Sequence, residues 1–447
     1  MNLHSKLLER ESEAAPLRVA VIGAGKFSAM FLVQARRMVG VHVVGVADLD
    51  VERARAALDR VGWPSEQYSA EDVPRAVRHG TTTITDNAFE LIQDPAIEIV
   101  IDITGHPPSA IAHALACLEH GKHLVNVTVE ADALAGPLLA RRFRQAGLVY
   151  SLAYGDQPAL IAEMVDWARA IGFDVVCAGK GTKHVPGIEY STPDSMWDHF
   201  GLTAEQAQSR DLNSQMFNSF LDGTKSAIEM AAVANACDLA AAPDGLVFPP
   251  VSTEDLAKRL KPVESGGLLP HKGMVEVVSS HGADGSPIAN DLRWGVYTVF
   301  EAPNDYVRVC FAEYGLATDD SGRYAAMYKP YHLIGLELGV SVASIGLRGE
   351  ATGTPNGFRA DVVAVAKKPL APGDRLDGEG GYTVYGRLAP ADRSLAEEWL
   401  PIGLAHDVRV VEPVAKDQPL RWSDVAIDDT LPAVRVRREM EADARSP

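Results

Sequence analysis

The sequence predicts an α/β protein built on a doubly wound parallel sheet, followed by an α+β domain and a small all-β C-terminal domain. Three observations carry this reading. Short Val- and Ile-rich runs alternate with amphipathic segments from Leu17 onward, the order expected of buried parallel strands joined by helices. A glycine turn, Gly23-Ala24-Gly25, stands between the first such run and the first helical segment. After Lys180 the texture changes to longer loops rich in Gly, Pro, Asn and Asp, which marks a different kind of domain. At 447 residues, with 47% hydrophobic and 23% charged residues, the chain is globular in composition and larger than one core usually organises.

Taken in order, residues 17–22, 41–47, 97–103, 123–128 and 148–153 read as strands. Residues 26–38, 51–61, 109–120, 133–145 and 158–170 have helical periodicity with polar faces. Beyond them, one long helical segment is expected from about Asp211 to Ala242, and alternation in 273–279, 292–300 and 306–314 predicts an antiparallel sheet. Residues 329–347 are apolar and periodic, so a helix is expected to return there to the first domain. From Gly357 the runs 360–366 and 407–411, with the turn Pro372-Gly373-Asp374 between them, read as a small β module. The implied domains are 17–155 with a returning helix at about 325–350, a substrate and dimerisation domain over 156–324, and a module over 356–440.

Charge and cysteine content narrow the function classes. A formal net charge of −18 disfavours nucleic acid and anionic membrane surfaces as partners. Cys117, Cys177, Cys237 and Cys310 form no CxxC pair, so a zinc ribbon, a dithiol motif or a disulfide framework is not expected. The first sixteen residues carry Glu9, Glu11 and Glu13 and no apolar core of a secretory signal; the expected location is the cytoplasm.

In Val19-Ala20-Val21-Ile22-Gly23-Ala24-Gly25-Lys26-Phe27-Ser28 a strand runs through a tight turn into a helix start, the context in which a GxGxx(G/A) pattern binds a dinucleotide. Gly23 allows the turn. Gly25 lets the N–H groups of Lys26 and Phe27 approach a pyrophosphate at a helix N-terminus. Ser28 replaces the third glycine with another small residue. Asp48 ends the second strand, 23 residues beyond Gly25, where a carboxylate accepts from the adenosine ribose and favours NAD; Arg53 and Arg55 just beyond could instead face a 2′-phosphate. Asp50 is expected as the N-cap of the next helix. Thr104, Gly105 and His106 follow the strand at 97–103 and are expected to touch the cofactor, His106 as a wall. The sequence therefore points to a Rossmann domain holding NADPH or NADH.

Carbonyl reduction needs a donor for the developing alkoxide, so a positioned lysine, or a metal held by carboxylates, is the pattern to look for. In Asp222-Gly223-Thr224-Lys225 helical spacing puts Asp222, Lys225 and Glu229 on one face. Lys225 is the candidate donor, Asp222 its orienting partner or a metal ligand, and Thr224 a substrate contact. Lys180, Lys183 and His184 follow an apolar run and form a candidate anion-binding group; a solvated loop is the plainer alternative. Glu130 and Asp132 follow the strand at 123–128; one of them, Glu130 first, is a candidate acid or metal ligand, and charge complementarity with a helix N-terminus explains Asp132 equally well. Lys329 and His332 in Tyr328-Lys329-Pro330-Tyr331-His332 are further candidate substrate contacts. If a divalent ion, Mg2+ or Mn2+, takes part, Glu130, Asp222 and Glu229 are its candidate ligands. No HExxH, GxSxG or Walker A pattern occurs, which argues against hydrolases and kinases.

At the glycine turn with Asp48, at the Asp222–Lys225 segment, and in the tail Leu400-Pro401-Ile402-Gly403-Leu404-Ala405 followed by 410–416, the chain resembles homoserine dehydrogenase-like oxidoreductases carrying a C-terminal SAF domain, a β-clip module. Its layout is similar to that of 1-deoxy-D-xylulose 5-phosphate reductoisomerase-like proteins. The resemblance implies oxidation or reduction at a CH–OH group of a small substrate, including isomerisation and reduction of a phosphorylated ketose with a divalent metal, and assembly as a homodimer. It also implies that Lys225 matches a catalytic lysine of homoserine dehydrogenases, whereas Glu130 stands near the place of their other lysine. Inositol dehydrogenase-like proteins share the fold start and the Gly121-Lys122-His123 turn, but their Glu-Lys-Pro motif is missing here. Homoserine, polyol or tetronate dehydrogenase activity is the alternative reaction, and a nucleotide-dependent sensor without turnover is the alternative of another class.

Overall fold

The structure is a computed structural model that describes residues 2–201, 203 and 213–445. The chain divides into two compact units, one of residues 1–160 with 332–356 and the other of residues 161–331 with 357–447.

The first unit holds a six-stranded parallel sheet of β1 (Leu17–Ile22), β2 (Val41–Ala47), β3 (Thr83–Thr85), β4 (Ile99–Asp102), β5 (His123–Asn126) and β6 (Tyr150–Leu152), in the order β3-β2-β1-β4-β5-β6. This is the doubly wound order, and its direction reverses between β1 and β4, where ligands of such sheets bind at the strands' carboxyl ends. Both faces are covered, which is why Val19, Val21, Val46, Ile99, Ile101 and Val125 are buried together with Phe31, Leu32 and Leu58 of the flanking helices. The expected strands and helices of this unit are present with ends shifted by a few residues. β3 escaped the sequence reading because Thr81-Thr82-Thr83-Ile84-Thr85 offers a single aliphatic residue. The returning helix is Gly339–Arg348, later than expected. Its Val342 and Ile345 join the core of this unit.

The second unit centres on a five-stranded mixed sheet of β7 (Asp174–Thr182), β8 (Met274–Ser279), β9 (Val296–Glu301), β10 (Ala317–Thr318) and β11 (Tyr324–Lys329), ordered β10-β11-β9-β7-β8. Only β7 and β8 are parallel; the other neighbours are antiparallel. Two expectations change. The alternation at 306–314 is a helix, Asp305–Glu313, started by Asn304, whose side chain accepts from Val307 N–H; its Phe311 packs edge-on against Phe173 and Phe300. Residues 324–329, expected to begin a helix, are instead strand β11, which pairs with β9.

The expected start of the long helix, Asp211, lies outside the described residues; within them the segment is two helices, Ser214–Leu221 and Thr224–Cys237. The break is the turn at Asp222-Gly223, where Gly223 has a φ of 86°. Residues 360–440 supply β12 (Ala360–Ala366) paired with β14 (Val384–Pro390), and β13 (Arg375–Asp377), β15 (His406–Val410) and β16 (Val425–Ala426) in a second small sheet. These strands, expected as a module of their own, lie in the same compact unit as residues 161–331. The helix Pro432–Arg445 closes the chain, and its fully buried Arg437 pairs with Asp361 and Glu441.

Candidate functional site

The first unit's site is built where β1, β4 and β5 end. Gly23 has a φ of 102°, and a Cβ placed on it would meet the Ile103 carbonyl oxygen at 2.8 Å, so only glycine fits between the two strand ends. Gly25 is the N-cap of the helix Lys26–Ala35 with no side-chain cap. A Cβ there would meet nothing within 4 Å, so the space beside the start of the helix is open, as a phosphate cradle requires. Ser28 is fully buried and its hydroxyl donates to the Gly25 carbonyl; the substitution of the third glycine is absorbed by packing.

Asp48 behaves differently from the expected ribose acceptor. Its side chain is only 2% exposed. One carboxylate oxygen accepts from Ala24 N–H at 2.6 Å, and the other accepts from Asp50 N–H and from the Arg53 guanidinium at 3.2 and 2.5 Å. The group that faces solvent is Arg53, 60% exposed. Asp50 caps its helix as expected.

Asp102, the last residue of β4, is fully buried and organises two loops. One of its oxygens accepts from the Thr104 hydroxyl at 2.8 Å and the Thr128 hydroxyl at 2.7 Å, and the other contacts His113 Nδ1 at 2.7 Å. Gly105 N–H donates to the Thr128 hydroxyl. Thr104 and Gly105 are thus held rigidly at the end of β4, and His106 caps the helix Pro107–Glu119. Asp102 and Thr128 were missed in the sequence because a buried aspartate at a strand end looks there like any loop carboxylate.

Glu130 is half-buried on the first turn of the helix Val129–Gln145. Asp132, two residues on, is fully buried. Neither of its oxygens has a hydrogen bond of full geometry, although the Tyr150 hydroxyl lies beside the carboxyl and stabilises its charge a little. Burial pushes its pKa up to about 7. From about pH 4 to pH 7 the folded state therefore binds a proton that the unfolded chain has lost, so stability falls as pH rises through that window and is level above it. Asp132→Asn is expected to remove a slope worth up to about 4 kcal/mol. Unfolding compared at pH 5 and pH 8 checks this, and an unchanged pH dependence in the variant would refute it.

In the second unit, Lys180 on β7 forms a buried ion pair with Glu229 of the helix Thr224–Cys237. Lys225 is half-buried on the first turn of that helix. Asp222, expected to orient Lys225 or bind a metal, is instead fully buried against Lys367, with Nζ to Oδ2 at 2.8 Å, while Oδ1 accepts from Thr224 N–H. Burial raises the Asp222 pKa and Lys367 opposes that shift. Thr224, expected to touch substrate, is buried, and its hydroxyl accepts from Gly386 N–H.

Lys183 is half-buried and donates to the His199 carbonyl at 2.9 Å. Burial and the nearby Arg293 charge lower its pKa, and burial with Lys183 and Arg293 lowers that of His281. Lys183 and Arg293, with the His281 ring beside them, thus form a basic cluster that the sequence could not assemble, because Lys183 lies about a hundred residues from the other two. His184 stacks on Phe248 at 4.0 Å, and burial lowers its pKa to about 4; it is a packed ring. Lys329 ends β11 and lies over the Tyr331 ring. His332 is half-buried in the first unit.

The expected metal ligands do not form one donor set. Asp222 is held by Lys367 and Glu229 by Lys180, Glu130 belongs to the first unit, and among the described residues no group of three or more His, Cys, Asp or Glu could hold a metal ion. The four cysteines are unpaired, and no described helix is long and apolar enough to cross a membrane.

Comparison with known proteins matches residues 21–147 to the family "Homoserine dehydrogenase, NAD binding domain" and residues 155–338 to "Oxidoreductase DRL, catalytic domain". The chain is therefore similar to an NAD(P)-binding domain over the first stretch and to an oxidoreductase catalytic domain over the second. A homoserine dehydrogenase from Methylobacillus glycogenes is 39% identical over 110 residues, which cover 22% of this chain and 27% of that protein; the chain thus spans about a quarter of that relative's length. Among solved structures, the chain is similar to a probable dehydrogenase from Thermotoga maritima at 12% identity, covering 75% of this chain and 90% of that one with a TM-score of 0.39. It is also similar to a myo-inositol dehydrogenase from Lactobacillus casei, solved with NAD(H) and myo-inositol, at 18% identity, covering 64% and 71% with a TM-score of 0.33.

Proposed function

We propose that the chain transfers hydride between a nicotinamide dinucleotide, NADPH in preference to NADH, and a small hydroxy or keto compound bearing an anionic group. The observation that carries the reading is the uncapped helix N-terminus at Gly25, beside a Gly23 that no other residue could replace, at the switch point of a doubly wound sheet. The nicotinamide ring supplies or accepts the hydride. The N–H groups of Lys26 and Phe27 hold the pyrophosphate, and Thr104, Gly105 and His106 form the wall beside it. In the second unit Lys225 donates to, or polarises, the substrate oxygen, while Lys183 and Arg293 attract the anionic end and the neutral His281 ring beside them can offer it a hydrogen bond. The acidic residues give no support for a resident divalent metal, so no step depends on one. A phosphorylated ketose such as 1-deoxy-D-xylulose 5-phosphate is the substrate class favoured by the basic cluster and by the layout's resemblance to reductoisomerase-like proteins; homoserine and tetronates are the non-phosphorylated alternatives. A cytoplasmic homodimer remains the proposed working form.

The preference for NADPH rests on Arg53. The Asp48 side chain is 2% exposed and bonded to Ala24, Asp50 and Arg53, so it is poorly presented to a ribose hydroxyl, and an exposed guanidinium fixed on that carboxylate suits a 2′-phosphate. Arg53→Gln is expected to lower kcat/KM for NADPH by about tenfold or more and to change that for NADH by less than about threefold. A wild-type protein that prefers NADH would overturn this. The function is tested by absorbance at the nicotinamide band with each cofactor, with and without Mg2+ or Mn2+, against a panel of sugar phosphates, tetronates and homoserine. Metal-independent turnover of an anionic compound is expected. Cofactor binding without turnover of any compound would favour the sensor.

A further inference from the structure

We infer that the C-terminal segment is a clamp on the helix that presents Lys225, and that Lys367 is its positioning residue. The inference rests on the proposed role of Lys225 and assigns a part in the same chemistry to residues 357–390. Lys367 follows β12 and is 94% buried. Its ammonium donates to Asp222 Oδ2, the Ser191 carbonyl and the Gly381 carbonyl, each at 2.8 Å, which uses all three of its protons. The bond to Asp222 falls on the turn between the two helices, where Asp222 also caps Thr224 N–H at 3.0 Å.

The same helix pair is fastened at further points from the C-terminal segment. Gly386 N–H donates to the Thr224 hydroxyl at 2.8 Å, and a Cβ on Gly386 would meet Thr224 Cγ2 at 2.9 Å, so β14 seats directly on the first turn. The Asn218 amide donates to the Gly380 carbonyl at 2.8 Å, and the Gln215 amide to the Asp377 carbonyl at 2.6 Å. Near the far end of the helix, Asn235 accepts from Arg359 and Ala360 N–H at 2.7 and 3.0 Å. Lys225 thus lies on a turn flanked by bonds to the C-terminal segment on residues 222 and 224.

Stability alone does not account for this choice of residues. A buried ion pair is no more stabilising than well-packed apolar residues of similar volume, whereas it fixes one geometry. Displacing a reacting group by about 1 Å costs up to a hundredfold in rate, so a lysine that must meet a substrate oxygen gains from a turn with one allowed position. Lys367 is too deeply enclosed to touch substrate, and it acts through Asp222 and Thr224.

The test uses the full chain carrying Lys367→Met with Asp222→Asn, which removes both charges together and leaves neither buried alone. With circular dichroism unchanged, kcat on the panel compound turned over fastest is expected to fall about tenfold or more, with KM for the nicotinamide within about twofold. In a Lys225→Met background the same pair is expected to change the residual rate by less than about twofold. A folded double variant whose kcat is within twofold of the wild type, or a loss of equal size with and without Lys225, would overturn the clamp. Absence of turnover in the wild type would sink the functional reading instead. The clamp is then decided by the titration of 13C-dimethylated Lys225 followed by NMR: a midpoint displaced by more than about half a pH unit in the double variant supports it, and coincident curves reject it.

Discussion

Lys225→Met is expected to lower kcat by about 10²- to 10⁴-fold, the usual worth of a positioned acid or base, and to leave KM for the nicotinamide within about threefold. The methionine keeps the unbranched, helix-favouring stem and removes only the ammonium. Lys225 is half-buried on the first helical turn, so the methionine stem can keep its packing and the fold is expected to survive. Lys180 is the informative contrast. It is paired with Glu229 inside the second unit, and Lys180→Met would strand a buried carboxylate and act mainly on stability. The two variants therefore separate a lysine that does chemistry from one that holds the sheet to the helix. They are compared by steady-state rates and thermal unfolding on the same preparations. A Lys225→Met protein that retains the wild-type kcat would remove this residue from the mechanism.

Much of the first unit was legible because its signals are local. The Val- and Ile-rich strands are buried on both faces, the glycine turn joins a strand to a helix within ten residues, and Asp50 caps a helix that begins beside it. The candidate site was legible to the same depth and no further. Gly23, Gly25, Thr104 and Gly105 stand where the topology must place them. The partner of a side chain is a long-range property, however, and there the sequence misled: Asp222 and Lys225 are three apart and share a helical spacing, yet Asp222 meets Lys367, 145 positions away. Helical periodicity could not show the turn at Gly223 that takes Asp222 off the helix. The basic cluster failed to emerge for the same reason, since Arg293 and His281 come to Lys183 from distant loops. The misreading at 306–314 has another origin. Val307-Arg308-Val309-Cys310-Phe311 alternates well enough for a strand, and the Asn304 cap is the one local feature that favours the helix.

The largest effect on stability is expected at Asp361, a residue that is none of the candidate catalytic groups. Arg437 is fully buried and forms two bonds to the Asp361 carboxylate at 3.0 and 2.5 Å, and one to Glu441 at 2.8 Å, while its guanidinium lies over the Phe358 ring. Asp361 also accepts from the Ser394 hydroxyl at 2.6 Å, so one carboxylate joins β12 to two helices. Asp361→Ala would take the bidentate carboxylate partner away from a fully buried guanidinium, and breaking a buried pair from one side costs about 3–5 kcal/mol. The paired change Asp361→Leu with Arg437→Met removes both charges and is expected to recover most of that loss, because the cost lies in the stranded charge more than in the missing attraction. Urea unfolding followed by tryptophan fluorescence is suited to the comparison, since Trp399 and Trp422 lie buried in the same C-terminal segment. An Asp361→Ala midpoint equal to that of the wild type would mean that the pair contributes nothing the surrounding packing does not already supply. A paired variant no better than the single one would place the loss in the geometry of the joint between β12 and the last helix instead of in its charge.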